Sequence, residues 1–249
     1  MTAGIRLILF DAFGTLLKPR TAPHSQYADE ARRQNLVVKD NDVQRTFKQA
    51  FRRTNAEYPN YGQPQLDPSR WWSLVIERTF EDLVTGNELQ TALPGLTSAL
   101  IQRFSSSRAY ELYEDVRPAL ATVKSGWPGI ELGVLSNTDP CLHDVLKSLG
   151  LSDEFLAVQT SWALRVAKPD PLIFLRAIQD SFRPDQVLYV GDDPEEDYDA
   201  ACKAGLRSVW LKRPGLGAKG WDDQFDEECA RETIASLADL SDWLRQHSS

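Results

Sequence analysis

The C-terminal half of the chain alternates short apolar runs with amphipathic stretches. Apolar and β-branched runs bounded by polar or Gly/Pro turns predict buried strands, and the stretches with helical spacing between them predict helices. With one further strand near the N-terminus, this order predicts an α/β fold built on a doubly wound parallel sheet. The predicted strands are 5–10, 130–135, 155–159, 187–190 and 207–211, and the predicted helices between them are 140–148, 170–180 and 195–204.

Residues 18–114 do not follow this alternation. They contain four helix-like segments and no convincing strand. Because the strand at 5–10 precedes this stretch and has no strand near it in sequence, an insertion is more economical than a separate N-terminal domain. We therefore expect an all-helical cap, 18–114, inserted in a Rossmann-like core formed by 1–17 and 115–249. The predicted cap helices are 25–35, 41–57, 68–83 and 88–104.

The C-terminal end of the chain predicts two kinds of structure. Residues 213–230 are rich in Gly, Asp and Glu and are expected to be irregular. The next stretch, 233–247, predicts a surface helix with one apolar stripe. That stripe comprises Ile234, Leu237, Leu240 and Leu244.

Composition narrows the class of protein. A chain of 249 residues with 42% hydrophobic residues is expected to fold, and an excess of 36 acidic over 28 basic residues argues against nucleic acid or anionic membranes as partners. Three widely spaced cysteines and three histidines give no structural zinc pattern, and the odd cysteine count favours a reducing compartment, so we expect a cytoplasmic protein. The opening IRLILF is too short for a membrane span and has no cleavage-like site.

Chemically useful side chains follow the predicted strands. Asp11 follows the first strand, LSNT places Ser136 and Asn137 after the second, AKPDP contains Lys168, and GDDPEEDYDA begins its acids at Asp192. Each feature alone is common in turns and helix caps. The carboxyl ends of parallel strands meet at one edge of a sheet, however, and their joint order favours a single site.

This set of side chains suits nucleophilic phosphoryl transfer. Asp11 would attack phosphorus and form an aspartyl-phosphate, while Ser136 and Lys168 hold phosphate oxygens. Six of the eight residues from 192 to 199 are acidic, and their mutual repulsion calls for a cation. A hard, oxygen-liganded ion such as Mg²⁺, held by Asp11 and Asp192, is the predicted cofactor.

The four segments DAFGTL, LSNT, KPDP and GDDPEED resemble, in order, the four motifs of the haloacid dehalogenase-like (HAD) hydrolase superfamily. The resemblance covers the whole predicted core, and the helical insertion after the first motif resembles that family's C1 cap. PNYG at 59–62 and RWW at 70–72 are similar to a eukaryotic branch, the haloacid dehalogenase-like hydrolase domain-containing proteins.

The resemblance implies roles for particular residues. It makes Asp11 the nucleophile and Lys168 a catalytic amine that also binds substrate. It implies Mg²⁺ bound by Asp11, by the backbone carbonyl of Phe13 and by Asp192, with Asp197 and Asp193 supporting these ligands from behind. The implied substrate is a small, anionic molecule, and the residues that would bind it are Thr15, Ser136, Asn137 and Lys168.

Phe13 departs from the phosphatase pattern. Family phosphatases carry a second Asp here, which protonates the leaving group and later activates water, and a phenyl ring does neither. Three functions follow as alternatives. The first is a Mg²⁺-dependent, phosphatase-like hydrolase of low or altered activity, and the second is a metal-independent 2-haloacid dehalogenase. The third is a catalytically impaired binding or scaffold protein, for which Tyr61, Trp71 and Trp72 would form an exposed partner surface unless they pack inside the cap.

The dehalogenase alternative has support and opposition in the sequence. Dehalogenases carry an aromatic residue at this position, in a DAYGTL pattern close to DAFGTL. They need no acid there because halide leaves without a proton. Their fourth motif is of a Ser-Ser-Asn type, whereas this chain has GDD, and their Tyr after the Lys-Pro motif is here Phe174. The candidates for their halide-binding arginine are Arg45 and Arg52, whose position the sequence does not determine.

Overall fold

The predicted strands form one parallel sheet. The computed structural model describes residues 4–179, 181–214 and 231–247. Its strands are Leu7–Phe10 (β1), Leu17–Pro19 (β2), Tyr110–Leu112 (β3), Glu131–Ser136 (β4), Ala157–Thr160 (β5), Val187–Gly191 (β6), Arg207–Leu211 (β7) and Thr233–Ile234 (β8). Six of them pair in parallel in the order β5-β4-β1-β6-β7-β8, and β2 and β3 form a separate two-stranded sheet. The predicted α/β fold with a doubly wound parallel sheet is confirmed.

The described helices alternate with these strands or precede them. They are Pro23–Arg33 (α1), Asp40–Glu57 (α2), Pro68–Phe80 (α3), Gly86–Phe104 (α4), Val116–Gly126 (α5), Cys141–Ser148 (α6), Ser161–Leu164 (α7), Leu172–Ile178 (α8), Ala200–Lys203 (α9) and Leu240–His247 (α10). A π-helical turn at Pro194–Asp199 leads into α9. No helix in the described part of the chain combines the length and the apolar character needed to cross a membrane.

The described residues divide into two compact units. The first lies within Met1–Lys18, Leu112–Asn137 and Leu151–Ser249, and the second lies within Pro19–Glu111 and Thr138–Gly150. The first unit contains the six-stranded sheet, and the second contains α1–α4 together with α6. Because α6 falls in the predicted core by sequence, the proposed boundaries of the inserted cap remain a prediction.

The core of the first unit fills the space between the sheet and its helices. β1 is buried along its whole length because β4 and β6 flank it and helices cover the sheet. Leu9, Leu135 and Tyr189 from the strands pack with Ile173 and Phe174 of α8 in one apolar cluster. This packing holds the carboxyl ends of the three central strands side by side.

The second unit has local signals that account for its helices. Asp67 accepts a hydrogen bond from the Arg70 backbone N–H at the start of α3, and Thr85 and Glu88 form a reciprocal capping box at the start of α4. The four predicted helices agree with α1–α4 to within three residues at every end.

Several predicted elements need correction. The stretch 233–247 is not one surface helix, because Ile234 lies in β8, paired with Leu211 of β7, and the helix begins only at Leu240. All four stripe residues are buried, so the apolar spacing reflects burial and not a continuous helix. The prediction that 18–114 contains no strand is wrong, because β3 lies within that stretch and is held by pairing with the distant β2. The strand β2 and the helices α5 and α7 also do not appear among the predicted elements. The irregular segment predicted at 213–230 lies outside the described residues from 215 onward.

The aromatic residues proposed as a partner surface pack within the second unit. Trp71 is 1% exposed, and Tyr61 and Trp72 lie against it with ring centroids 5.0 and 4.9 Å away. The Trp72 Nε1–H donates to a carboxylate oxygen of Asp139 at 2.6 Å. Trp71 is therefore buried, which agrees with the alternative that these residues pack inside the cap.

Candidate active site

Three neighbouring strands end where the candidate residues begin. Asp11 directly follows β1, Ser136 is the last residue of β4, and Asp192 directly follows β6. Because β4, β1 and β6 are adjacent and parallel, their carboxyl ends lie at one edge of the sheet. Lys168 comes from the loop between α7 and α8.

The Lys168 ammonium is the centre of the site. Its Nζ donates to Asp11 Oδ1 at 2.8 Å, to Asp197 Oδ1 at 2.5 Å and to the Tyr189 hydroxyl at 2.9 Å. An ammonium has three hydrogens, so its donor capacity is filled by these acceptors. The lysine and both acids are buried. Residues far apart in sequence thus meet at one edge of the sheet.

Burial and charge act in opposite directions on these groups. Burial alone would lower the pKa of Lys168, but the adjacent Asp11 and Asp197 carboxylates outweigh it and raise that pKa well above its ordinary value. Burial raises the pKa of Asp197 to about 6, although Lys168 opposes this shift. Lys168 therefore stays charged at neutral pH. Asp197 ionises at a pH of about 6, slightly below neutrality.

Tyr189 is a site residue that sequence reasoning missed. Its hydroxyl accepts from Lys168 Nζ and donates to the Leu135 carbonyl at 2.8 Å, which links β6 to β4. The Phe174 ring meets it edge-on with centroids 4.9 Å apart. In the run VLYV, Tyr189 has the sequence pattern of an ordinary core residue. The only signal of its role is that the hydroxyl of a buried tyrosine needs a hydrogen-bond partner.

Two glycines allow the acids to approach the backbone closely. A Cβ at Gly14 would lie 2.1 Å from Asp192 Oδ2, and a Cβ at Gly191 would lie 2.2 Å from Asp197 Oδ2. Gly14 also has a φ of +89°, in the left-handed region that side chains disfavour. These positions need glycine because each carboxylate occupies the space of a side chain.

Asp11, Asp192 and Asp197 form a cluster suited to a metal. Each offers a carboxylate oxygen, and these oxygens all lie within 4.8 Å of one another. When the three acids are ionised, Lys168 offsets only one of their charges, so two negative charges remain. Carboxylate oxygens are the ligands of hard cations. The donor set and the charge both fit one divalent ion such as Mg²⁺.

The other predicted residues lie around this centre. The Asn137 side chain accepts from the Lys168 backbone N–H at 2.8 Å and donates to the Lys168 carbonyl at 2.9 Å, so it holds the lysine backbone from both sides. Asp193 caps the turn that carries Asp197, accepting from the backbone N–H groups of Glu195 and Glu196.

The turn after β1 contains the remaining two candidates. Phe13 is half-buried and forms a bridge with Leu17 in this turn. Thr15 is fully buried, and its hydroxyl has no hydrogen-bond partner among the residues described. A buried, unpaired hydroxyl is costly, and an oxygen of a bound anion would satisfy it.

The four motif positions and the acid–lysine cluster thus lie together at one edge of a parallel sheet in an α/β fold. The chain belongs to the haloacid dehalogenase-like hydrolase family, whose model matches residues 5–205. Among individual proteins, it is 34% identical to haloacid dehalogenase-like hydrolase domain-containing protein 3 of Mus musculus over 232 residues, which are 92% of this chain and 89% of that protein. The resemblance to this eukaryotic branch is confirmed.

Solved structures share the fold at low sequence identity. The defluorinating L-2-haloacid dehalogenase Rha0230 matches with a TM-score of 0.75 and 22% identity, covering 97% of this chain and 95% of that one. Magnesium-bound YfnB of Bacillus subtilis matches with a TM-score of 0.71 and 15% identity, covering 98% of this chain and all of that one. These likenesses establish the fold and leave the reaction to be argued from the site.

Proposed function

We propose that this protein is a Mg²⁺-dependent, phosphatase-like hydrolase of small anionic molecules, with turnover limited by Phe13. The observation that carries the proposal is the cluster of Asp11, Asp192 and Asp197, in which Asp11 and Asp197 bind Lys168. Two uncompensated negative charges would repel an anionic substrate unless a divalent cation is bound. A phosphorylated substrate is the class that such a cation and lysine together attract.

The residues that would hold the ion are Asp11 and Asp192, with the Phe13 carbonyl as a further ligand and Asp197 and Asp193 as support. When bound, Mg²⁺ would neutralise the acids and the oxygens of the transferring phosphoryl group. Lys168 would attract the phosphoryl group by its positive charge, since its three hydrogens are already donated, and Ser136 and Thr15 would hold phosphoryl oxygens. We propose that Asn137 does not contact the substrate directly. Its role is to hold the Lys168 backbone, and with it the lysine side chain, in position.

The proposed reaction has two steps. Because Lys168 binds Asp11 Oδ1, we assign Oδ2 as the oxygen that attacks phosphorus. The new oxygen–phosphorus bond forms as the ester oxygen leaves with its electron pair and takes a proton from solvent. Water then adds to phosphorus, the bond to Asp11 breaks, inorganic phosphate departs, and the proton from water is released to solvent.

Phe13 removes the proton carrier that would speed both steps. General acid–base catalysis contributes about 10²–10⁴-fold, so its loss leaves the nucleophile and the anion site in place while slowing turnover. Leaving groups that depart without a proton, such as an aryl oxide, suffer least in the first step. The second step still lacks an activated water, and the aspartyl-phosphate should therefore accumulate.

The direct test is Phe13→Asp, assayed with Mg²⁺ on a panel of alkyl and aryl phosphates. We expect turnover of alkyl phosphates to rise by about 10²-fold or more. Phe13→Asn is the matched control, because an amide of similar shape carries no transferable proton and should give no gain. Equal activities in the Asp and Asn variants would contradict the assigned role of position 13.

The aromatic residue at position 13 also favours a second candidate, a 2-haloacid dehalogenase in which Asp11 attacks carbon and halide leaves. Against it, the acid cluster would repel the substrate carboxylate. Arg45, one candidate for the halide-binding residue, is 61% exposed and lies 3.6 Å from Asp42. Release of chloride from 2-chloropropionate in the presence of a chelator would establish this activity. Absence of release, together with a phosphoenzyme in Mg²⁺, would exclude it.

The third candidate, a binding protein without turnover, makes a distinct prediction. Neither phosphate nor halide would be released from any substrate in the panels, with or without Phe13→Asp. Binding of a partner would also be unchanged in Asp11→Asn, because no reaction at Asp11 would be required.

A further inference from the structure

An arginine outside the four motifs reaches the turn that follows β1. Arg213 lies two residues beyond the end of β7, at the edge of the sheet where the candidate site lies. Its Nη2–H donates to the Thr15 carbonyl at 2.8 Å. Thr15 and Arg213 are 198 positions apart, and both belong to the first compact unit.

Asp115 holds the guanidinium in this position. Arg213 Nη1 donates to Asp115 Oδ2 at 2.8 Å and Nη2 donates to Oδ1 at 3.0 Å, which is the two-point geometry that arginine forms with a carboxylate. Asp115 also accepts from the Ser236 hydroxyl and the Leu237 backbone N–H. The guanidinium carbon lies 3.9 Å from the centre of the Tyr113 ring. Asp115 and Tyr113 therefore orient the arginine directly, and Ser236 and Leu237 hold Asp115 in place.

We propose that Arg213, oriented by Asp115, is a positioning residue that fixes the turn of residues 11–16 between β1 and β2. This inference rests on the proposed function, because that turn carries Asp11 and the Phe13 carbonyl. Arg213 touches no reacting atom in this account and acts through the Thr15 peptide.

The geometry of the turn explains why one carbonyl matters. The Leu16 and Leu17 N–H groups donate to the Ala12 carbonyl, and the Gly14 N–H donates to the Leu17 carbonyl, so these bonds connect the residues of the turn to one another. Gly14, next to Thr15, lies directly against the Asp192 carboxylate. A shift of the Thr15 peptide would therefore change the space that Asp192 occupies beside Asp11.

Stability alone does not account for this arrangement. Buried ion pairs are often no more stabilising than apolar residues of the same size, so the pair between Arg213 and Asp115 has little value by itself. The additional donation to the Thr15 carbonyl is what connects the pair to the candidate site. If Arg213 positions the turn, loss of its bond to the Thr15 carbonyl should loosen the turn and weaken Mg²⁺ binding. If its role is purely structural, loss of that bond should change neither.

The experiment compares Arg213→Lys, Arg213→Met and Ser236→Ala with the parent chain. Lysine keeps the positive charge, but its single ammonium group cannot bind both Asp115 oxygens and the Thr15 carbonyl at the same time. Ser236→Ala is the matched control, because it removes a donor to Asp115 and leaves the bond to Thr15. Amide hydrogen exchange is measured for a peptide covering the turn and for one covering β4, and Mg²⁺ affinity is measured by calorimetry.

We expect Arg213→Lys to speed exchange of the turn amides about tenfold, with β4 unchanged, since loss of one hydrogen bond of ordinary strength corresponds to a change of that size. Mg²⁺ affinity should fall about 10–100-fold, as when a residue supporting a metal ligand is removed. Ser236→Ala should change neither. If Arg213→Met does not fold, Arg213→Lys decides.

Turn protection equal to the parent in Arg213→Lys would overturn the inference, and so would unchanged Mg²⁺ affinity despite a loosened turn. A parent chain that binds no Mg²⁺ would instead refute the proposed function. In that case the exchange measurement alone decides whether Arg213 fixes the turn.

Discussion

Replacement of Lys168 by Met tests the electrostatics of the site most severely. Methionine is of similar length and apolar, so the variant removes the charge with little change in volume. Asp11 and Asp197 then remain buried with no cation between them. The Tyr189 hydroxyl also loses the donor that it accepts from.

The size of the effect follows from burial of these groups. The pKa of Asp197 is raised to about 6 even with Lys168 in place, because burial disfavours its anion. Removing one partner of a buried ion pair costs about 3–5 kcal/mol. We expect the free energy of unfolding of Lys168→Met to fall by that amount near pH 8 without metal.

The loss should depend on pH in a definite direction. Without the lysine, the folded-state pKa of Asp197 rises further above its unfolded value, so the folded state binds protons more tightly than the unfolded state does. Lowering the pH from about 8 to about 5.5 should therefore restore part of the lost stability in Lys168→Met, and more than it adds to the parent.

Urea unfolding in a chelator at both pH values measures these quantities. Lys124→Met is the control, because Lys124 pairs with Glu154 at 2.6 Å but both side chains are more than one third exposed. That pair should contribute less than about 1 kcal/mol. A loss below about 1 kcal/mol in Lys168→Met, or a pH dependence equal to that of the parent, would refute the assigned burial and charge.

Two further substitutions test how the site is built. Gly14→Ala places a Cβ 2.1 Å from the Asp192 carboxylate at a φ of +89°. We expect the free energy of unfolding to fall by about 1–2 kcal/mol from backbone strain, and calorimetry to show at least tenfold weaker Mg²⁺ binding. Unchanged Mg²⁺ affinity would contradict the contact between Gly14 and Asp192. Tyr189→Phe leaves the ring but removes the hydroxyl between Lys168 and the Leu135 carbonyl. We expect urea unfolding to show that the free energy of unfolding falls by about 1–3 kcal/mol. An unchanged free energy of unfolding would mean that this hydroxyl is dispensable.

The sequence predicts the parts of this fold whose signals are local. The strand at 207–211 has the observed bounds of β7, because an apolar run between turns is defined by its own residues. The strand β8 is not predicted, because its two residues are held by pairing with β7 and have no pattern of their own. The spacing of Ile234 from Leu237 and Leu240 then resembles a helix, although it records only burial.

The site divides in the same way. Asp11, Lys168, Asp192 and Asp197 can be predicted because each lies in a short motif whose order along the chain is informative. Tyr189 and Arg213 have no such motif, and their roles depend on a hydroxyl and a guanidinium that reach across the fold.

The central claim is that Asp11 is a nucleophile whose phosphorylated form is slow to hydrolyse. The most direct measurement is intact mass after incubation with an aryl phosphate and Mg²⁺ and rapid acid quenching, with peptide mapping of the modified residue. We expect a mass increase of one phosphoryl group at Asp11, absent in Asp11→Asn and diminished in Phe13→Asp, where hydrolysis of the aspartyl-phosphate is faster. An unmodified chain during turnover, or a phosphoryl group on any other residue, would contradict it.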